Sequence, residues 1–274
     1  MTNVLNVLKL FADDTKIMSK IVDDSSCNAL QDDLNKLANW SNEWSIKFNE
    51  DKCKVMHIGK SNPHFDYKMN DHILQKTEIE RDLGVLISND REWDQQVISA
   101  TSKANKKLGL IKHEFKYLDT NTLKLLYKSM VRPHLEYAAT VWSPTWQKDK
   151  DKLENVQRRA TRIEPLRGKN YEERRRILNL PLLEERRRRG DLIEMYKIIN
   201  LNGYINFLEP MRFFDNMSRG RHNKRIHREL VKKTCRYHYF TNRVVDDWNS
   251  LSQDAIDSPN KNIFKNKIDK ILKF

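Results

Sequence analysis

Two adjacent carboxylates between short apolar segments constrain the N-terminal fold more than any other feature of this chain. Residues 8–18 read LKLFADDTKIM, so Asp13 and Asp14 separate an apolar run at 8–12 from a second run at 15–18. Two short runs divided by two polar residues predict a β-hairpin with the acidic pair at its tip. Neighbouring carboxylates repel each other, and a cation at the tip would remove that cost.

The acidic pair has two interpretations. A hard cation such as Mg²⁺ binds carboxylate oxygens and keeps waters that substrate phosphates can replace. Two such ions about 4 Å apart activate the attacking oxygen and stabilise the leaving oxygen in phosphoryl transfer. The simpler interpretation is a solvated turn, because Asp is common in turns.

The composition favours a helix-rich soluble protein over a β-sandwich or barrel, and with the predicted strands it gives an α+β fold class. Of the 274 residues, 38% are apolar and 32% are charged, with seven Gly and seven Pro, a balance typical of helical domains with packed cores. No apolar run approaches the ~20 residues that span a bilayer. The N-terminus also lacks the pattern of a signal peptide. We therefore expect no membrane segment and no secretion.

The cysteines and histidines form neither a metal pattern nor a disulfide pattern. Cys27, Cys53 and Cys235 lie far apart in the sequence, which is typical of a reducing compartment. We therefore expect an intracellular protein of the nucleus or cytoplasm. The histidines near the C-terminus have no cysteine at zinc-finger spacing, so no zinc site is predicted.

Charge is distributed very unevenly along the chain. Residues 1–100 hold 12 Lys and Arg against 17 Asp and Glu, whereas the remaining residues hold 39 against 21. The net charges are −5 and +18, so the part with the acidic hairpin is itself acidic. A basic surface of this size predicts a polyanionic partner. The alternative is solubilising charge on exposed helices.

Periodicity divides the chain into a strand-rich first part and a helical remainder. Beyond the hairpin we predict a helix at about 26–44 and short strands at 55–58, 65–69, 73–76 and 82–87. From Asp94 onward apolar residues recur at threes, fours and sevens, which predicts helices. Asp119 is the predicted N-cap of the second of these helices.

The segment Phe11-Ala12-Asp13-Asp14, with its apolar lead-in, resembles the catalytic box of reverse transcriptases from LINE-type (non-LTR) retrotransposons. The resemblance implies a palm hairpin whose Asp13 binds catalytic Mg²⁺ or Mn²⁺, with Asp14 supporting it. Residues 131–144, VRPHLEYAATVWSP, closely resemble LINE-type sequences just beyond the palm. We therefore divide the chain into a partial palm with an antiparallel sheet and a packed helix (1–92), a helical thumb (93–145) and a basic helical extension (146–274).

The same resemblance implies roles for further residues of the partial palm. Lys52 matches a lysine near the incoming nucleotide, where it can protonate the pyrophosphate leaving group, and Lys54 is the second choice. Leu83 and Gly84 resemble the primer-grip pair, at which glycine lets the primer approach the backbone. From the residues alone, Lys52 is a solvated loop lysine and Gly84 marks a bulge in a strand.

Basic clusters on the predicted helices are the candidate contacts for nucleic acid. Arginine is favoured in such clusters because its guanidinium group binds phosphate bidentately. The run of four arginines at 186–189 is also a candidate nuclear-localisation patch. The candidates are Lys103, Lys106, Lys107, Arg158, Arg159, Arg162, Arg186, Arg187, Arg188 and Arg189.

The resemblance implies the C-terminal fragment of an RNA-directed DNA polymerase. Its partners would be an RNA template and an RNA/DNA or DNA primer duplex, and no oligomeric state is predicted. In the family another metal-binding Asp lies on an earlier strand. This chain starts about ten residues before the hairpin, so we expect that Asp and the fingers to be missing, which leaves enzymatic activity open. The alternative is a non-catalytic nucleic-acid-binding remnant, whose binding would survive Asp13→Asn.

Overall fold

The structure is a computed structural model that describes residues 6–200, 211–214, 222–232 and 234–272. The chain divides into two compact units, Met1–Glu92 and Trp93–Phe274. The first unit contains short strands and one long helix, and the described part of the second is almost entirely helical. This arrangement confirms the predicted α+β class.

The elements are numbered in chain order. The strands are β1 (Val7–Phe11), β2 (Asp14–Met18), β3 (Lys54–Val55), β4 (Lys68–Met69), β5 (His72–Ile73), β6 (Gln75–Lys76), β7 (Ile79–Asp82) and β8 (Val85–Ser88). The helices up to residue 200 are α1 (Asp24–Glu43), α2 (Asp94–Glu114), α3 (Thr120–Leu126), α4 (Arg132–Glu136), α5 (Gln147–Ala160), α6 (Tyr171–Leu178) and α7 (Leu183–Asn200). The C-terminal helices are α8 (Thr234–Tyr237), α9 (Phe240–Arg243), α10 (Val245–Asn249), α11 (Gln253–Ile256) and α12 (Lys261–Leu272).

Strands β1 and β2 form the predicted hairpin. Phe11 pairs with Asp14, so the connection is the two-residue turn Ala12-Asp13. Ala12 lies in the left-handed region with a φ of 51°, as the first turn residue of a tight hairpin requires. The acidic pair therefore lies where the chain reverses.

Helix α1 covers the short strands with its predicted apolar stripe. It begins at a capping box, in which the Asp23 carboxylate accepts the Ser26 N–H at 2.8 Å and Ser26 Oγ accepts the Asp23 N–H at 3.0 Å. Such a box satisfies backbone donors that the helix leaves unpaired. Leu34 and Ala38 then pack against Met69 of β4 in the core of the first unit. The predicted packed helix is thus confirmed.

The described strands of the first unit form two-stranded ladders rather than one antiparallel sheet. Three ladders are antiparallel hairpins, and β3 pairs with β6 in parallel. The strand predicted at 55–58 ends at Val55. Its last ladder contact is the hydrogen bond from the Thr77 N–H, just after β6, to the Val55 carbonyl at 2.9 Å. The strand predicted at 73–76 is interrupted by Leu74, which is buried in the core between β5 and β6. The strand predicted at 65–69 is reduced to Lys68–Met69.

The continuous strand predicted at 82–87 is wrong. Asp82 pairs with Val85, so Leu83 and Gly84 form the turn of a second hairpin, β7–β8. Both turn residues have positive φ angles, 44° and 86°, as a two-residue hairpin turn of the primed type requires. The apolar Leu83 resembles a strand residue in sequence, but it lies at the exposed end of the hairpin.

The second unit begins with helices that follow the predicted pattern. Helix α2 buries Val97, Ala104 and Leu108 on one face, and Asp119 caps α3 by accepting the Thr122 N–H at 3.0 Å. Between α3 and α4 the chain forms a π-helical turn at Tyr127–Val131. Pro133 follows in the first turn of α4, and its lack of an N–H group disfavours regular α-helical bonding at this point.

Helix α7 lies at the centre of the C-terminal core. Leu192 and Tyr196 pack with Trp248 and Phe264, all of them buried. The Tyr196 and Phe264 rings stack at 4.3 Å between centroids, an arrangement that adds to the area they bury. α5 packs against α2, so the segments predicted as thumb and extension belong to one compact unit. Within the described part of the chain, no helix combines the length and apolar character needed to cross a bilayer.

Candidate nucleic-acid interface

Asp13 and Asp14 lie at the tip of the first hairpin with exposed side chains. Asp13 is the second turn residue, and Asp14 is the first residue of β2. Two residues further on, Lys16 forms an ion pair with Asp82 at the end of β7. This ion pair connects the acidic hairpin to the β7–β8 hairpin, whose turn is the Leu83-Gly84 pair singled out from the sequence.

The acidic pair supplies only part of a two-metal donor set. Among the described residues, no three His, Cys, Asp or Glu side chains cluster closely enough to hold an ion. A two-metal site needs ligands that reach both ions and hold them about 4 Å apart. The described carboxylates therefore do not by themselves fit the Mg²⁺ or Mn²⁺ site that the sequence resemblance implies.

Lys52 and the Leu83-Gly84 turn are both exposed in the first unit. Lys52 ends a 3₁₀ turn at Glu50–Lys52, and no described carboxylate forms an ion pair with it. Lys54, the second choice, pairs instead with Glu80 at 2.9 Å. The exposed Gly84 has its carbonyl bonded by the Arg81 guanidinium at 3.3 Å, which steadies the backbone of the turn.

A cationic groove lies between α2 and α5 in the second unit. It has a volume of about 420 Å³, and its lining contains no carboxylate. The lining residues are Thr101, Asn105, Lys152, Asn155, Arg158, Arg159 and Arg162. Of the four cations, Lys152 pairs with the buried Asp149 at 2.8 Å, which leaves the three arginines as the unneutralised charge.

The three arginines lie at the C-terminal end of α5. Arg158 and Arg159 occupy its last turn and Arg162 follows it, and all three are exposed. α5 buries an apolar stripe on its opposite face, so the helical period turns these side chains outward. Cations also interact favourably with a helix C-terminus. No described carboxylate pairs with any of the three, although the Arg158 guanidinium lies 5.0 Å from the Tyr171 ring centroid.

Lys112 of α2 stabilises the arginine end of α5. Its Nζ donates to the carbonyls of Arg159 at 2.8 Å and Arg162 at 3.3 Å, which lie where the intrahelical bonding of α5 ends. Burial lowers the pKa of the Lys112 ammonium, and the charges of Arg162, Arg159 and Arg174 lower it further. These cations repel one another, so a bound anion would relieve the repulsion.

The three predicted lysines of α2 extend the positive surface. Lys103, Lys106 and Lys107 are exposed, and no described carboxylate forms an ion pair with them. They occupy the same helix as Thr101 and Asn105, which line the groove. These lysines were predicted from the sequence to contact phosphates, and their exposed side chains are available for that role.

The four successive arginines of α7 contact four different segments of the second unit. Successive residues of an α-helix are rotated by about 100°, so the side chains leave in different directions. The ion-pair partners are Glu136 for Arg186, Asp247 for Arg188 and Asp269 for Arg189. These pairs connect α7 to α4, α10 and α12, so their charges already hold the unit together.

Arg187 is buried, and the prediction that it binds nucleic acid is wrong. Its guanidinium donates to the carbonyls of Trp142 at 2.8 Å and Leu135 at 2.7 Å. It also lies 4.1 Å from the Trp142 ring centroid. Burial, with a smaller effect from the Arg243 charge, lowers the pKa of Arg187 to about 10. The group is therefore charged at neutral pH but cannot reach a phosphate.

Sequence reasoning missed the polar residues that complete the groove. The helical period that located the buried stripes also places these residues on one face of each helix. The missed positions are Thr101, Asn105 and Lys112 on α2 and Asn155 on α5, the last of which lies one turn before the predicted Arg159. Applying the period to polar as well as apolar positions would have found them.

Comparison with known proteins assigns the chain to no family. No family model, no curated protein and no solved structure matches the chain. The functional interpretation therefore rests on the geometry and charge of the chain's own residues. Among these, the α2–α5 groove combines unneutralised cations with space for a ligand.

Proposed function

We propose that this chain binds nucleic acid by holding backbone phosphates in the α2–α5 groove. The observation that carries the proposal is the cluster of Arg158, Arg159 and Arg162 in a groove without carboxylates. Guanidinium groups bind phosphate oxygens through two parallel hydrogen bonds, which makes them well suited to this role. Lys112 fixes the backbone beneath them and adds to the positive potential.

The net charge of the second unit favours an extended polyanion over a small anion. Residues 93–274 carry 39 Lys and Arg against 22 Asp and Glu, a balance of +17. Binding along a phosphate backbone releases counterions, and each contact adds to the affinity. Lys103, Lys106 and Lys107 add exposed positive charge to other faces of α2. The proposed partner is an RNA template paired with an RNA or DNA primer.

We also propose descent from a LINE-type reverse transcriptase, with this chain as a C-terminal part of an RNA-directed DNA polymerase. The support is the resemblance of Phe11-Ala12-Asp13-Asp14 and of residues 131–144, together with the position of the acidic pair at a hairpin tip. In this proposal Asp13 and Asp14 need further ligands to hold Mg²⁺ or Mn²⁺. Lys52 would serve the incoming nucleotide, and the Leu83-Gly84 turn would contact the primer.

The alternative is binding without polymerisation. What favours it is that, among the described residues, no third His, Cys, Asp or Glu side chain joins the acidic pair in a cluster that could hold a metal ion. Primer extension on an RNA template with Mg²⁺ or Mn²⁺, comparing the full chain with Asp13→Asn, separates the two functions. Extension that requires Asp13 would establish polymerisation, whereas duplex binding that is unchanged in Asp13→Asn without extension would establish the alternative.

The groove itself is tested by fluorescence anisotropy with a labelled RNA/DNA duplex. We expect the triple variant Arg158→Gln/Arg159→Gln/Arg162→Gln to weaken binding roughly a hundredfold at 0.1 M salt, because three phosphate contacts are lost. The control removes the same charge from Lys261, Lys265 and Lys270 of α12. Equal losses in the two triple variants would refute a role for the groove beyond net charge.

A further inference from the structure

We infer a second nucleic-acid contact in which Tyr237 and Tyr239 form an aromatic platform that stacks on bases of a single strand. The two tyrosines flank His238 between α8 and α9, with 43% and 44% of their surfaces exposed. Neither lines the α2–α5 groove. This inference takes its class of ligand, nucleic acid, from the proposed function. The position of the site follows from the contacts of the tyrosines themselves.

Each platform ring is braced by its own arginine. The Arg228 guanidinium lies 5.2 Å from the Tyr237 ring centroid and donates to the Tyr237 hydroxyl at 2.9 Å. The Arg236 guanidinium lies 5.0 Å from the Tyr239 ring centroid. A cation over a ring face is attracted by the negative potential of that face, so each ring is held while much of its surface stays open to solvent.

Both arginines are neutralised by carboxylates. Arg236 binds Glu229 through two hydrogen bonds of 2.8 and 2.6 Å, and Arg228 pairs with Asp246 at 2.6 Å. The charges therefore orient the rings rather than attract phosphates. What the platform offers to a ligand is the exposed aromatic surface.

The backbone beneath the platform is fixed by the buried Asn242 of α9. Its Oδ1 accepts the Glu229 N–H at 3.0 Å, and its Nδ2 donates to the Arg236 carbonyl at 3.2 Å. The next layer is the core that contains Phe240 and Trp248. A platform fixed in this way loses little conformational entropy when a ligand stacks on it.

A nucleobase fits this platform better than a cation or a proline-rich peptide. A cationic ligand would be repelled by the arginine that already covers each ring. A peptide lacks the phosphates that the +17 charge of the second unit attracts. Bases in a duplex are already stacked, so the ligand is a single strand, whose bases stack on exposed aromatic rings regardless of sequence.

The test compares three labelled ligands on the full chain. They are an unstructured 15-nucleotide RNA, an abasic strand of the same length, and a duplex. We expect the wild-type chain to bind the RNA at least tenfold more tightly than the abasic strand, since two stacked bases are lost. Tyr237→Leu/Tyr239→Leu should remove that difference and leave duplex binding unchanged. Tyr237→Phe/Tyr239→Phe should keep it, because the rings remain.

A matched control comes from Tyr117, which is 94% exposed in the same unit and has no arginine over its ring among the described residues. Tyr117→Leu should leave all three affinities unchanged. If the wild-type chain bound the RNA and the abasic strand with equal affinity, the proposal that bases stack on the platform would be refuted without any variant. Failure of the platform can be distinguished from failure of the groove, because the groove triple variant should weaken the binding of all three ligands.

Discussion

Replacing Arg187 by alanine should destabilise the second unit far more than replacing its neighbour Arg188. The Arg187 guanidinium is buried and donates to two backbone carbonyls, at 2.8 and 2.7 Å, with its plane over Trp142. Arg188 is half exposed and pairs with Asp247 at the surface. The two changes remove the same charge from adjacent positions, so the difference between them isolates the effect of burial.

The magnitude follows from the contacts of Arg187. Each hydrogen bond from a charged donor contributes about 1.5–3 kcal/mol, and a desolvated cation over an indole contributes about 2 kcal/mol. Removing the charge also relieves its burial, which lowers the pKa of Arg187 from its ordinary value to about 10, a change equivalent to roughly 3 kcal/mol. The net loss is about 3 kcal/mol, compared with less than about 1 kcal/mol for an exposed pair such as that of Arg188.

Differential scanning calorimetry of the full chain measures this difference. For a unit of this size, a loss of about 3 kcal/mol lowers Tm by roughly 6–12 °C. Arg187→Lys should lose most of the same stability, because an ammonium cannot reproduce the two-pronged contact with the carbonyls. A Tm for Arg187→Ala within about 2 °C of that for Arg188→Ala would refute the structural role assigned to Arg187.

Two further predictions concern stability in the second unit. Tyr127→Phe removes the hydroxyl that donates to buried Gln157 Oε1 at 2.8 Å, so the unfolding free energy in urea should fall by about 1–3 kcal/mol; an unchanged value would contradict the hydrogen bond. Hydrogen bonds from Thr122 lower the pKa of the Asp119 carboxylate below its usual, unfolded-state value. Its stabilisation should be complete above that value and disappear as pH falls through the lower folded-state pKa. Asp119→Ala should therefore lower Tm at pH 7 but have no effect in strong acid.

The elements that could be predicted from sequence are those determined by local pattern. The β1–β2 hairpin follows from two apolar runs around an acidic pair, and α2 follows from apolar residues at helical spacing. The cap Asp119 was identified because the side chain and its backbone partner lie three residues apart. In each case, the residues that determine the structure are close together in the sequence.

The errors occur where distant residues determine the structure. Leu83 was assigned to a strand because it continues an apolar run, yet pairing of Asp82 with Val85 places it in a turn. Arg187 was predicted at the surface because it lies within a run of arginines, but Trp142 and Leu135, more than forty residues earlier, accept its hydrogen bonds. A basic run in the sequence does not reveal which of its members tertiary contacts will bury.

The candidate site was predicted in composition but not in geometry. Arg158, Arg159 and Arg162 were identified as phosphate contacts from their charge, and they line the groove. Lys112, which lies 47 residues from Arg159, bonds the Arg159 carbonyl only once α2 and α5 are packed together. The groove is a product of helix packing, which the sequence pattern of either helix alone does not specify.

The dependence of duplex affinity on salt tests the central claim most directly, because it counts the phosphates that the groove contacts. Each contact contributes about 0.9 to the slope of log affinity against log salt concentration. The Arg158→Gln/Arg159→Gln/Arg162→Gln variant should therefore reduce the magnitude of the slope by about 2–3. The charge-matched variant of Lys261, Lys265 and Lys270 should leave it nearly unchanged. A slope that is the same in the wild type and the arginine variant would contradict phosphate binding in the α2–α5 groove.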